Sequence, residues 1–456
     1  MGTVGLSFGS ATSGQGFDVA TTVTQIQAAE SAIETPWQTQ LTTLQAQDTV
    51  FSSLGSDLST LTTSVQALTD FAGVFSQKEG SSSNTNVLSL TSASNSAVAG
   101  SHSVLVDSLA ATSSDYLDPI ANASDTLAGS VTFQVGSGAS TTITVDSSSN
   151  TLSTLAAAIN SAGAGVTASV ISDSSGSRLS LVSGTSGSAG QLTVTSVLSD
   201  ATTGVNLANN TGTTGADASL KVDGIALTSA SNTVSTAIPG VTFQLLAADV
   251  GSPVQVEITN NNTAIETAFS SMVTAYNAVV KDVSTQEGKD SSGNPEPLYG
   301  NPTLSLIQSQ LSSALTSATG SGSVTNITQL GLSFNDDGTL SLDTDALDTE
   351  LNSNFSDVTG FLQNSGSFGQ SFATTLNNLG IQAPNGAVYL AQQQNSSEEA
   401  SLNQSITNEN SILAAQKTSL TDELNTANQI LQSIPSQLSE VNEMYSAITG
   451  YNTGNG

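Results

Sequence analysis

FSSLGSDLSTLTTSVQAL, residues 51–68, sets Phe51, Leu54, Leu58, Leu61, Val65 and Leu68 at intervals that alternate three and four. Such spacing places all of them on one narrow face of a helix, a heptad seam two residues in seven wide. A seam that narrow needs another helix to bury it. The far end of the chain carries a matching text, LTDELNTANQILQSIPSQLSEVNEMYSAI at 420–448. There Leu420, Leu424, Ala427, Leu431, Ile434, Leu438, Val441, Tyr445 and Ile448 alternate four and three, led in by Leu402, Ile406 and Leu413. We read the two seams as packing on each other in one helical stalk. Two amphipathic helices on separate cores are the other reading. Phe51, Leu54, Leu58, Leu61, Val65, Leu68, Leu420, Leu424, Leu431, Ile434, Leu438, Val441 and Tyr445 are the candidate helix-interface residues.

Working outward, Val19, Val23, Ile26, Ile33, Trp37, Leu41 and Leu44 extend the first helical signal towards the N-terminus. Pro36 falls inside it, so the helix either begins again there, with proline in its first turn, or kinks. Pro435 interrupts the second seam and predicts a kink near Ile434, so jointed legs are expected rather than one rigid rod. Gly450 ends the pattern.

Between residues 84 and 260 the period changes to short β-type runs punctuated by Gly, Ser, Asn and Asp, among them Ser130–Val135, Val166–Ile171, Ala218–Val222 and Val254–Ile258. Their regular spacing predicts antiparallel sheets, with one short helix at Leu152–Ile159. Asn150-Thr151-Leu152-Ser153-Thr154 is echoed by Asn232-Thr233-Val234-Ser235-Thr236, each followed by a Gly-Val-Thr strand start, which suggests two related β units. Helix is expected again at Ala264–Val280, at Leu304–Leu315 and through Leu347, Leu351, Phe355, Val358 and Leu362. A hairpin with the turn Asn335-Asp336-Asp337-Gly338 lies between the last two. The fold class is multidomain α+β: N- and C-terminal helices paired as a coiled-coil or helical-bundle stalk, with antiparallel β domains inserted in the middle.

Composition narrows the chemistry. In 456 residues there are 6 Lys or Arg against 37 Asp or Glu, a formal net charge of -31, and no cysteine. Such a chain cannot neutralise a run of phosphates or an anionic membrane, so neither is an expected partner. The acidity serves solubility, or it suits an acidic medium in which carboxylates protonate. His102 alone, at the strand entry Gly100-Ser101-His102-Ser103, supports neither a triad nor a zinc set and reads as a turn histidine. The acidic turn at Asp336, Asp337 and Asp343 puts Ser333 and Thr344 where an EF-hand needs Asp and Glu, so turn chemistry is the better account. We expect no enzyme, no cofactor and no metal. Met1–Ser10 has no basic n-region or apolar run and is not a secretory signal, and no segment reaches the ~18 apolar residues of a membrane span.

Several segments, taken in order, resemble the flagellar hook-associated protein 2 family, the filament caps. Gly14-Gln15-Gly16-Phe17-Asp18-Val19 is similar to that family's opening, and Ala99-Gly100-Ser101-His102-Ser103-Val104 to its first β segment. Asn150–Val170 with Asp173–Leu181 resembles the β–helix–β motif of flagellins and hook-associated proteins. Leu298-Tyr299-Gly300-Asn301-Pro302-Thr303-Leu304, Leu330-Gly331-Leu332-Ser333-Phe334 and Asp337-Gly338-Thr339-Leu340-Ser341-Leu342-Asp343 follow the family in content and order. Departures are Asn301 in place of a usual aspartate, Pro435, and Lys417 as the lone cation of the last helix.

The resemblance implies terminal coiled-coil legs (1–40, 397–456), a helical core domain with a β-hairpin (41–84, 263–396), a first β domain (85–114, 216–262) and an outermost one (115–215). It implies a protein that caps the distal end of the filament, retains exported flagellin and promotes its polymerisation. Implied partners are itself, in about four to six copies, flagellin, and an export chaperone with the flagellar type III apparatus. The implied location is extracellular, at the filament tip, reached without a cleavable signal peptide, with Met1–Gly16 disordered. A surface adhesin that contacts host or surface glycans, and a flagellin or hook–filament junction subunit, are the alternatives.

Overall fold

The computed structural model describes residues 16–317 and 322–450. The expectation of disorder for Met1–Gly16 falls, apart from Gly16, outside the described residues. Two compact units form the chain, Met1–Thr69 with Thr267–Gly456, and Asp70–Glu266.

The first unit is built on helices. α1 (Val19–Glu30) is capped by Asp18, whose carboxylate accepts from the Thr21 amide at 3.1 Å. A 3-10 turn at Ser31–Ile33 separates it from α2 (Glu34–Thr69), and Pro36 sits in the first turn of α2, where its missing donor costs no helical bond. Phe51, Leu54, Leu58, Leu61, Val65 and Leu68 are all at most 2% exposed. At about 1.5–3 kcal/mol for each fully buried side chain, this face is the main apolar contribution of α2.

α3 (Leu152–Ser161) belongs to the other unit. Most of α4 (Asn262–Gln286), then α5 (Pro302–Leu315), α6 (Thr344–Gln363), α7 (Phe368–Leu379) and α8 (Ala387–Thr449) complete the first. The α2 face packs on α7, on the start of α8 and on α6. Gly55 lies where α2 passes Ile381 and Val388; a Cβ there would stand 2.5 Å from Ile381 Cγ2, so the glycine permits the close approach. Helix α7 had no counterpart in the sequence reading. Ser367 caps it, and Phe368, Phe372, Leu376 and Leu379 are buried, with Phe361 stacked on Phe368 at 4.8 Å.

Asn301 caps α5 by accepting from the Thr303 amide at 2.9 Å, with Pro302 as the first helical residue, so asparagine serves here as aspartate would. The hairpin β19 (Leu332–Phe334) and β20 (Leu340–Leu342) is clamped to α4 by Asn277, which donates to the Leu340 carbonyl at 2.8 Å and accepts from its amide at 2.7 Å. One helix expectation is corrected. α6 leaves helical dihedrals at Asn354 (φ -132°), inside the run read as unbroken. Helix α8 runs through Pro435 as a single element from Ala387 to Thr449.

The second unit is β-rich. One buried cluster lies under the sheet β1 (Lys78–Ser82), β18 (Asp249–Asn260), β3 (Gly100–Ser108), β14 (Ala218–Val222) and β15 (Ile225–Ser229), and under β16 (Thr233–Ile238), β17 (Val241–Leu245) and β2 (Leu88–Ala93). Val104, Val106, Leu220, Phe243 and Val256 are at its centre. The other cluster is enclosed by three antiparallel sheets. These run β13 (Asn209–Thr213), β4 (Thr112–Leu117), β9 (Gly176–Ser186), β8 (Val166–Asp173); then β10 (Leu192–Ser196), β6 (Ser130–Val135), β7 (Thr141–Thr144); then β12 (Asn206–Leu207), β11 (Leu198–Asp200), β5 (Leu127–Ala128). Helix α3 packs on β8, where Asn160 accepts from the Ala168 amide at 2.7 Å.

The internal echo is not a structural repeat. Thr151 forms the capping box that starts helix α3, whereas Thr233–Ile238 is strand β16. Similar Ser/Thr-rich letters take whichever structure their neighbours bury: Leu155 and Ile159 continue a helical face after the first copy, whereas Val234 and Ile238 of the second are buried in a strand.

Candidate functional site

The terminal helices pair antiparallel through a polar ladder. Gln392 donates to Ser52 Oγ at 3.0 Å, Asn395 to Asp48 at 2.8 Å and Gln27 to the Leu413 carbonyl at 2.7 Å; Gln40 bonds Glu398, and Asn428 accepts from the Phe17 amide at 2.9 Å. Partner numbers fall along one strand of the pair as they rise along the other, so α1 and the first half of α2 lie along α8 from Val388 to about Asn428. Sequence reasoning missed these amides, because a period in apolar residues does not register polar contacts.

This register corrects the expected pairing of the two seams. Phe51–Leu68 faces α6, α7 and the first turns of α8, not Leu420–Ile448. Leu58 and Leu61, two of the candidate helix-interface residues, are fully buried. Along α8, Leu402 and Leu413 are buried, Leu420, Leu424, Leu431 and Ile434 are half-buried, and Leu438, Val441 and Tyr445 are exposed by 47%, 59% and 52%. Ile430, Met444 and Ile448 are exposed as well. The candidate residues thus divide into a core group on α2 and an uncovered stripe on α8.

A cleft of about 710 Å³ in the same unit is lined by apolar Phe51, Leu306 and Leu390 and by amides that include Gln40, Asn301 and Asn385. Among the described residues that line it, Glu398 alone is ionisable.

Titratable groups elsewhere do structural work. His102 Nδ1 lies 2.8 Å from Asp223 Oδ2, and the Ser103 amide donates to Asp223 Oδ1 at 2.9 Å. Asp223 and Gly224 form the two-residue turn between β14 and β15 with φ of 51° and 82°, the left-handed geometry that Asp-Gly suits. The His102 hydrogen bond holds the Asp223 carboxyl below its ordinary value. Asp337 is likewise lowered, by the Thr339 hydroxyl and amide, inside the turn between β19 and β20. One pair moves the other way. Burial, then a hydrogen bond that the protonated Asp57 donates to Asp282 and the like charge of that neighbour, push Asp57 up to about 6. These carboxyls on α2 and α4 are too distant in sequence for any spacing rule to join them. Among the described residues no cluster of three or more His, Asp or Glu could hold a metal ion, and no helix is long and apolar enough to cross a membrane.

The pattern of units and helices has known counterparts. Residues 215–448 match the family model described as flagellar hook-associated protein 2 C-terminus, residues 15–113 its N-terminus, and residues 130–185 the flagellin hook IN motif. The chain is 29% identical over 353 residues to the B-type flagellar hook-associated protein 2 of Pseudomonas aeruginosa, covering 71% of this chain and 74% of that protein. It is 28% identical over 373 residues to flagellar hook-associated protein 2 of Escherichia coli K12, covering 76% and 78%. The solved structure of the D1-D2-D3 domains of the Escherichia coli flagellar cap protein FliD superposes with a TM-score of 0.55 at 27% identity, over 76% of this chain and 99% of that one.

Proposed function

The chain belongs to the flagellar hook-associated protein 2 family, and we propose that the uncovered stripe of α8 is its working surface. The protein caps the distal end of the bacterial flagellar filament, retains exported flagellin and promotes its polymerisation beneath the cap as the filament elongates. Its role is that of a structural assembly factor at the filament tip.

The observation that carries the proposed mechanism is the change of environment along one helix, from buried Leu402 and Leu413 to Leu438, Val441 and Tyr445 about half exposed. An amphipathic helix left open in this way can bury its stripe against a terminal helix of flagellin or against a neighbouring cap subunit. At about 1.5–3 kcal/mol for each large apolar side chain covered, either partner offers similar stabilisation, so exchange between them needs no separate energy source. Self-association into about four to six copies, and delivery by an export chaperone through the type III apparatus, belong to the same proposal.

Replacing Leu431 and Leu438 together by Asp, in cells that export the variant at the normal level, is expected to give short filaments and flagellin in the medium. Filaments of normal length with no leaked flagellin would overturn the assignment of this surface.

A further inference from the structure

Strand β4 alternates its exposure and turns Ser113, Asp115 and Leu117 into the unit. Ser113 is satisfied there: its hydroxyl accepts from the Leu192 amide at 2.9 Å and from Gln191 at 3.1 Å. Asp115 is not. It is 3% exposed, its Oδ2 accepts from Asn209 Nδ2 at 3.2 Å, and its Oδ1 has no hydrogen-bond partner. Nor has Asn209 Oδ1, also buried. Thr211 pairs with Asp115 across β13 and β4, which puts Asn209, two residues away, on the same face of the sheet.

Carboxyl and carboxamide groups are both flat forks. Joined by one N–H···O bond, they can turn their remaining oxygens towards each other. Two bare acceptors in that arrangement repel, and each costs about 1–3 kcal/mol when buried without a donor. A single proton on Asp115 Oδ1 removes both faults, because the acid hydroxyl donates to Asn209 Oδ1 and closes an eight-membered acid–amide ring.

We propose that Asp115 is the neutral acid in the folded protein, ringed with Asn209, and that this proton secures the pairing of β4 with β13 in acid and releases it as the medium becomes alkaline. Among the described residues no cation is paired with the carboxyl. Arg178, on β9, lies 5.6 Å over the ring of Tyr116 and pairs with Asp173 at 2.8 Å, and Tyr116 projects from the opposite face of β4. β9 sets Leu181 opposite Asp115, and β10 carries no charged residue. Past the end of β4, Asp118 is engaged by the Ala208 amide and by Asn210. Burial pushes the Asp115 carboxyl up, against smaller opposing contributions from hydrogen bonding by the Asn209 amide and the Thr211 hydroxyl.

The sign follows from linkage. A carboxyl raised on folding contributes stability that is fully present below its unfolded value, about 4, and is lost as pH rises through the folded value. Hydrogen–deuterium exchange of the full-length protein between pH 4.5 and 8, corrected for intrinsic rate, reads this locally in peptides that span Thr112–Leu117 and Asn209–Thr213. Opening of the wild-type strands is expected to rise by up to about tenfold per pH unit across the window in which one proton is lost. In Asp115→Asn the new amide donates to Asn209 Oδ1 without a proton, so protection at pH 8 should exceed wild type and the profile should be flat. Parallel profiles, or weaker protection of Asp115→Asn at pH 8, would overturn the ring. A second measurement needs no stable variant at high pH: the 13Cγ resonance of Asp115, identified by its absence in Asp115→Asn, should titrate above the ordinary carboxyl range. Titration near about 4, or protection that grows with added calcium or sodium instead of acid, would also refute the proposal.

Discussion

The seams of α2 and α8 share a period and a composition, yet Leu58 and Leu61 are fully buried while Leu438 and Val441 keep 47% and 59% of their surface in water. The difference is one of company. α2 runs among α6, α7 and the start of α8, whereas α8 continues past Asn428, the last of its side chains in the polar ladder among the described residues. A heptad pattern states that a face is apolar and where on the helix it lies; it does not state what covers it. The same text can therefore encode a core in one place and a docking surface in another.

The comparison breaks most sharply at its buried half. Leu58→Ala or Leu61→Ala should destabilise the purified chain by about 2–5 kcal/mol, read from urea unfolding, because each leaves a cavity in a packed helix cluster. A loss below about 1 kcal/mol would mean that the α2 face is loosely packed and closer to α8 in character. A smaller effect, on the pH axis, tests the same cluster from its polar side. Asp57, raised to about 6, contributes stability below its unfolded value that disappears as pH climbs through about 6. Asp57→Asn should therefore melt higher than wild type at pH 7.5 and lose that advantage near pH 4; equal melting curves at both pH values would dissolve the pair with Asp282. Least of all should be the effect of Leu438→Ala on the isolated chain, within about 0.5 kcal/mol, since an exposed leucine has no cavity to leave. A loss comparable to that of Leu58→Ala would show that the stripe is already covered in the free protein.

Much of the architecture was legible. Helical ends, an antiparallel middle, the short helix at Leu152 and the hairpin around Gly338 are each written in local periodicity and turn chemistry. Helix α7 was also readable and was missed: Ser367 followed by Phe368, Phe372, Leu376 and Leu379 is a cap and a helical face. Asn354 was not readable, because residues on either side keep a helical interval while the backbone between them departs from it. Nor was the echo at Asn150 and Asn232 decidable, since its polar letters have no strong preference and follow their neighbours.

At the candidate surface the division is physical. The sequence by itself determined which faces are apolar, that the chain ends are helical, and that cysteine chemistry has no material to work with, because side-chain type and spacing settle those matters locally. Only the tertiary structure decided that the α2 seam is core and the α8 stripe uncovered, that Asp57 meets Asp282, and that Asp115 shares a buried corner with Asn209. Burial and proton affinity depend on what surrounds a group from all sides, and those neighbours come from segments brought together only by the packed fold.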